Sequence, residues 1–142
     1  MPSSTPNILG LDHVVLRVKD PARAVRYYSA VLGLAVERVR EDLGLTQMRA
    51  GHSLIDLVQV DGALGRKGGA APDAGGRNVD HFCLRVEPFD VAALTAHLIA
   101  HGVVPGEVRE RYGADGYGPS MYIEDPDGNI VELKGPPVRA AR

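Results

Sequence analysis

The chain has one cysteine, no tryptophan and two phenylalanines among its 142 residues. A lone thiol, Cys83, excludes an internal disulfide and fits a reducing cytoplasm. With nothing nearby to lower its pKa, it reads as a small buried hydrophobe rather than a nucleophile. The scarcity of large aromatics leaves few platforms on which a flat ligand could stack. Charge of either sign is not in excess: 16 Lys and Arg against 18 Asp and Glu give a formal net charge of −2. That excludes the basic footprint of a nucleic-acid binder. No apolar run approaches membrane-spanning length, and the opening MPSSTPN lacks the charged and apolar regions of a signal peptide. These absences lead us to expect a soluble, cytoplasmic protein with neither a nucleic-acid nor a membrane partner. The 44% hydrophobic content supplies a core for one domain.

What is present is a repeat. LDHVVLRV (Leu11 to Val18) returns as VDHFCLRV (Val79 to Val86), with five of eight positions identical. In the first copy Val14, Leu16 and Val18 alternate with His13, Val15 and Arg17, the period of a strand with two distinct faces. DPARAVRYYSAVLG follows, with Asp20 as N-cap, Pro21 at the first helical position and Gly33 as the stop. Its apolar stripe is Ala22, Val25, Tyr28 and Leu32. Three strand-like runs come next: LAVERVRED, LTQMRA and HSLIDLVQV. The second copy keeps the order. Asp90 caps VAALTAHLIAH, Gly102 closes it, and VPGEVRERY, PSMYIED and NIVELK follow, the last two joined by the turn DPDG.

Both halves therefore read βαβββ, an α+β architecture of two tandem modules. One domain spans about 8–135, with module 1 over 8–60, a linker over 61–77 and module 2 over 78–135. Residues 1–7 and 136–142 are expected as tails, the second ending in the frayed VRAAR. The linker is rich in glycine but is followed by neither GK[ST] nor a helix, so it is not a phosphate loop. It reads as a partly flexible connection, with a lid over a pocket as the alternative.

Each module buries one sheet face under its helix, which should take Val14, Leu16 and Val18 in one copy and Phe82, Leu84 and Val86 in the other. His13 and His81 then point away. In SLIDLV and NIVELK the same logic turns Asp56 and Glu132 away from the helix, at matching places. Two imidazoles and two carboxylates in this arrangement suit a divalent transition metal with sites left open for substrate. Inheritance of ordinary polar residues through duplication explains the pattern equally well. Two other sets carry less. His97 and His101 have ligand spacing but lack the glutamate of HExxH, and are expected to serve the helix end and solvent. DPDGNIVE has its glycine and acids out of register for a calcium loop and reads as a hairpin turn.

On LDHVVLRVKD, AVRYYSAVLGL, VDHFCLRV and MYIEDPDGNIVELKG, over roughly residues 8 to 135, the chain resembles the vicinal oxygen chelate superfamily of glyoxalases, bleomycin-resistance proteins and extradiol dioxygenases. The resemblance implies a U-shaped, incompletely closed barrel and one divalent transition metal (Fe, Mn, Ni, Co or Zn) per site. It places His13, His81 and Glu132 at the family's metal positions and Asp56 where glyoxalase I enzymes carry a glutamate. It also implies a homodimer, often with each site built from both chains. The activity implied is a glyoxalase-like metalloenzyme acting on a small molecule, by isomerisation or lyase chemistry or by epoxide opening as in fosfomycin-resistance enzymes. Glu132 would be the base and Tyr122 a catalytic partner, with Arg111, Tyr112, Tyr117 and Ser120 offering hydrogen bonds to an oxygen-rich or anionic substrate. The alternatives are a metal-free small-molecule binding protein and an extradiol dioxygenase.

Overall fold

Two aspartates start the two helices. In the computed structural model, which describes residues 5–140, Asp20 Oδ1 accepts the Arg23 N–H (3.2 Å) and Asp90 Oδ1 accepts the Ala93 N–H (3.0 Å). Each bond satisfies one orphan donor of a first helical turn. The elements run β1 (His13–Val18), α1 (Pro21–Arg26), β2 (Ala35–Arg40), β3 (Leu45–Ala50) and β4 (Ser53–Gln59). After the linker come β5 (Phe82–Arg85), α2 (Val91–Ala100), β6 (Arg109–Gly113), β7 (Gly116–Glu124), β8 (Ile130–Lys134) and β9 (Arg139–Ala140). No helix among the described residues is long and apolar enough to cross a membrane.

The two modules have the same topology. Strand order is β1-β4-β3-β2 in the first sheet and β5-β8-β7-β6 in the second, with β1 parallel to β4 and β5 parallel to β8. The sheets do not merge into one closed barrel. Their helix-covered faces share one core, in which Leu16, Met48 and Ile55 of the first module join Leu98, Met121 and Leu133 of the second.

Three features differ from the sequence reading. Beyond Arg26 the first helix widens into a π-helical stretch, Tyr27–Val31. The buried stripe is Ala24, Tyr27, Tyr28 and Val31, which shares only Tyr28 with the expected one: Ala22 is exposed and Val25 and Leu32 are half-buried. The expected tail does not fray at 136, because β9 pairs with Gly116 and Tyr117 of β7 and Val138 N–H donates to the Tyr117 carbonyl (2.6 Å). Ala141 and Arg142, the last two residues of VRAAR, lie outside the described residues. The linker, for its part, is tied down: Arg17 donates to the carbonyls of Gly65 (3.0 Å), Gly69 (3.1 Å) and Ala70. One guanidinium thus collects carbonyls that a glycine-rich turn leaves without a ladder partner.

The close approach at Gly65 gives a stability prediction. A Cβ there would lie 1.9 Å from the Gln59 carbonyl oxygen, whereas one at Gly10 would meet nothing within 4 Å. Gly65→Ala is expected to cost about 1–3 kcal/mol in urea unfolding, because the backbone must shift. Gly10→Ala should be neutral within about 0.5 kcal/mol. Equal midpoints for the two variants would mean that the linker is not packed as described.

The modules are joined by polar contacts as well as by the core. Asn78 fills the free edge of β1 as a one-residue strand, its Oδ1 accepting the Arg17 N–H and its Nδ2 donating to the Arg17 carbonyl, both at 3.0 Å. The same Nδ2 donates to Asn129 Oδ1 (3.0 Å), and Asn129 leads to Asp125, a buried carboxylate in the β7–β8 turn. His97, expected to face solvent, has Nε2 2.8 Å from the Val31 carbonyl and so links α2 to the end of the first helix.

Candidate metal centre

In the second module Glu132 sits between Cys83 on β5 and Tyr122 on β7, its direct neighbours in register. Side chains opposite one another across a sheet share a face, so all three lie on the face away from α2. His81 joins them from just before β5, with Nε2 3.4 Å from Glu132 Oε1. The Tyr122 ring meets the His81 ring edge-on, centroids 5.3 Å apart. The Arg111 guanidinium lies 4.6 Å over the Tyr122 ring, and its Nη1 donates to the Ser120 hydroxyl (2.9 Å) and carbonyl (2.7 Å). Glu132 is only 6% exposed, and among the described residues no arginine or lysine pairs with it. Burial and the Glu132 charge raise the Tyr122 phenol above its ordinary value, with Arg111 opposing, so it is a proton donor at neutral pH. Cys83, expected to be buried, is exposed on this face; partial desolvation and then Glu132 push its thiol up to about 11. It is therefore no thiolate nucleophile.

The first module repeats the arrangement with different chemistry. Asp56 on β4 is opposite Val15 on β1 and Gln47 on β3. Gln47 therefore takes the place of Tyr122, and its Nε2 donates to both Asp56 oxygens (3.1 and 3.2 Å). His13 shares this face. Its pKa is raised by the Asp12 hydrogen bond and then by the Asp56 charge. Gln47 was not anticipated: in LTQMRA it is one polar residue among several on alternating positions, and only the register shows which carboxylate it meets.

The second module thus brings a histidine and a carboxylate to 3.4 Å, and the first sets His13 and Asp56 on one sheet face, where the carboxylate charge acts on the imidazole. Among the described residues, no three His, Cys, Asp or Glu side chains of a single chain gather as a metal site. Both histidines do line one cavity of about 850 Å³ where the β1 and β5 edges approach, along with Leu11, Arg49 and Cys83.

The remaining residues divide by face. Arg111, Ser120 and Tyr122 share the face of Glu132. Tyr112 and Tyr117 are opposite each other in register, one position out of phase with Arg111 and Gly118, and so lie on the other face. There they stack edge-on at 4.9 Å, and Arg139 covers Tyr117 at 4.1 Å. One further cation on the Glu132 face was missed. Lys134 is buried, and its Nζ donates to the Gly116 carbonyl (3.0 Å). A Cβ on Gly113 or Gly118 would come within 3 Å of its side chain, so the glycines of YGADGYG make its room.

The donor set fits a divalent cation in two halves. Each histidine has Nδ1 engaged by a neighbouring carboxylate, 2.8 Å from Asp12 and 2.6 Å from Asp80, which leaves Nε2 as the nitrogen that a metal could use. Glu132 is a buried carboxylate without a permanent counter-charge, a state that a bound cation would relieve.

The chain is 30% identical over 123 residues to virulence protein STM3117 of Salmonella typhimurium, covering 87% of this chain and 81% of that protein. The crystal structure of that protein matches with a TM-score of 0.75, at 26% identity over 92% of this chain and 98% of the other. The glyoxalase domain-containing protein RDO1 of Mycosarcoma maydis is 31% identical over 129 residues, 89% of this chain and 68% of its own length. The fosfomycin resistance protein FosX of Listeria monocytogenes shares the fold with a TM-score of 0.66 at 20% identity, covering 93% of this chain and 97% of that one. A family model matches residues 10–133, from just before β1 to nearly the end of β8, and with these relatives it places the chain in the glyoxalase/bleomycin resistance protein/dioxygenase superfamily.

Proposed function

We propose that the chain is a divalent-metal-dependent enzyme acting on a small oxygen-rich substrate, with isomerisation, lyase or epoxide-opening chemistry. The observation that carries this is the repeated placement of one histidine and one carboxylate on the sheet face away from each helix, His13 with Asp56 and His81 with Glu132. His13, His81 and Glu132 are the proposed ligands. Asp56, with both oxygens held by Gln47, is proposed to bind through water or to orient a ligand. When bound, the metal would polarise a substrate oxygen and stabilise the negative charge that develops there.

The chain's own residues supply the rest. Glu132 accepts a proton from the substrate at a carboxylate oxygen. Tyr122 stays protonated beside it and donates a hydrogen bond. Arg111, held over Tyr122 and against Ser120, offers a fixed cation for an anionic group. Because one chain gathers only half the ligands at each place, we propose a homodimer in which half-sites from different chains face each other.

The test is metal uptake by protein dialysed against chelator and then offered Mn, Fe(II), Co, Ni or Zn. About one ion per chain is expected. His81→Ala should weaken uptake by more than the roughly 10–100-fold lost with outer-shell partners. Failure of the wild-type chain to bind any of these ions would overturn the proposal and favour a metal-free binding protein.

A further inference from the structure

The dipeptide Asp-His occurs at the same place in both modules, and the geometry points to a role for its first residue. We infer that Asp12 and Asp80 are positioning residues, each fixing the ring of the histidine that follows it so that Nε2 is presented to the metal. This rests on the reading of His13 and His81 as ligands.

Three observations support it. Asp12 Oδ2 lies 2.8 Å from His13 Nδ1, and Asp80 Oδ2 lies 2.6 Å from His81 Nδ1. The two aspartate side chains are each 91% exposed, and among the described residues neither carboxylate has another hydrogen-bond partner. They cap no helix, and the imidazole is the one hydrogen-bond partner of each side chain among the described residues, with the Asp12 charge acting also on Arg49. The surroundings of the two histidines also differ. His81 packs edge-on against Tyr122 and beside Glu132, whereas His13 lies by the Asp56–Gln47 pair at the edge of the other sheet. The same carboxylate–imidazole contact in two unlike environments is not a by-product of either one.

A carboxylate at Nδ1 can only accept, so the Nδ1 proton is fixed and Nε2 is the nitrogen left for another partner; in His81 it lies 3.4 Å from Glu132 Oε1. Without it the ring can rotate or change tautomer, and part of the population would offer Nε2–H where the metal needs a lone pair. Adjacent residues of a regular strand point to opposite faces. The contact forms because both histidines stand where their strands begin, His13 as the first residue of β1 and His81 just before β5.

The experiment compares Asp12→Ala, Asp80→Ala and the matching Asn variants in the full chain. Manganese and zinc affinities are measured by calorimetry, and imidazole tautomers of the metal-free protein by nitrogen-15 NMR. Each alanine variant should bind metal about 10–100-fold more weakly and show mixed tautomers in place of one. Each asparagine variant, whose Oδ1 still accepts from Nδ1, should recover most of the loss. Such exposed side chains should leave thermal unfolding unchanged, which separates the effect from misfolding. Alanine variants that bind as tightly as a metal-binding wild type, or asparagine variants no better than alanine, overturn this inference alone. A wild type that binds no metal overturns the functional reading and this inference with it.

Discussion

Asp125→Ala is expected to destabilise the protein by about 3–5 kcal/mol, more than an ordinary turn substitution costs. Asp125 is 5% exposed and accepts four hydrogen bonds. Oδ1 takes the N–H groups of Asp127 (2.9 Å) and Asn129 (2.8 Å), and Oδ2 takes Asn129 Nδ2 (2.8 Å) and the Tyr28 hydroxyl (2.7 Å). The first two shape the β7–β8 turn. The last crosses from the second module into the π-helical stretch of the first. Alanine leaves all four donors without this acceptor, three of them in buried surroundings.

Two milder variants test whether the carboxylate is a hub. Tyr28→Phe removes one donor and leaves three of the four bonds, so it should cost about 1–2 kcal/mol. Asp125→Asn keeps an acceptor for the turn but points an amide N–H₂ toward Asn129 Nδ2 and the Tyr28 hydroxyl, and should fall between the two. Urea unfolding with unchanged m-values reads the series directly. If Asp125→Ala costs no more than Tyr28→Phe, the turn bonds contribute little and the inter-module bond alone matters.

This residue also shows how far the sequence could be read. DPDG was legible as a turn because its residues make one locally: Pro126 sets the first corner, and Gly128 takes φ 81° with its N–H donating to the Asp125 carbonyl (3.0 Å). That Asp125 also reaches Tyr28 was not legible, since nothing local specifies a partner in the other module. The candidate ligands were visible for a related reason. A strand's two-residue period turns a polar residue in an apolar run to a definite face, and duplication marks which faces correspond. That logic places His13, Asp56 and Glu132, while His81 stands just before β5 and reaches the same side, 3.4 Å from Glu132.

Near hairpin ends, closeness in sequence misleads where parity would not. Tyr112 and Tyr117 are close in sequence to Arg111 and Ser120 but sit one position out of phase with them, and so face the other way. The widening of the first helix at Tyr27 has no side-chain signature either.

The strongest test of the proposed dimeric site is an all-or-none complementation. His13→Ala damages the first-module half-site and Glu132→Ala the second, so neither homodimer should bind metal tightly. Suppose each complete site pairs the first-module half of one chain with the second-module half of its partner. A heterodimer of the two variants then concentrates both lesions in one site and leaves the other with His13, Asp56, His81 and Glu132 all intact. Random mixing should restore metal to about a quarter of all sites, and a heterodimer isolated with two affinity tags to about half. If instead each chain completes its own site, every site in the heterodimer carries one lesion and no metal returns. The first outcome is the one that the proposed dimer requires. Among the described residues of one chain no three potential ligands gather, although both histidines line one cavity, and Leu11 and Val15 are exposed on either side of His13. An apolar surface next to an incomplete ligand set is better buried against a second copy than left in water. Metal content of the tagged heterodimer, measured against both parent variants, decides between the two arrangements whatever the substrate proves to be.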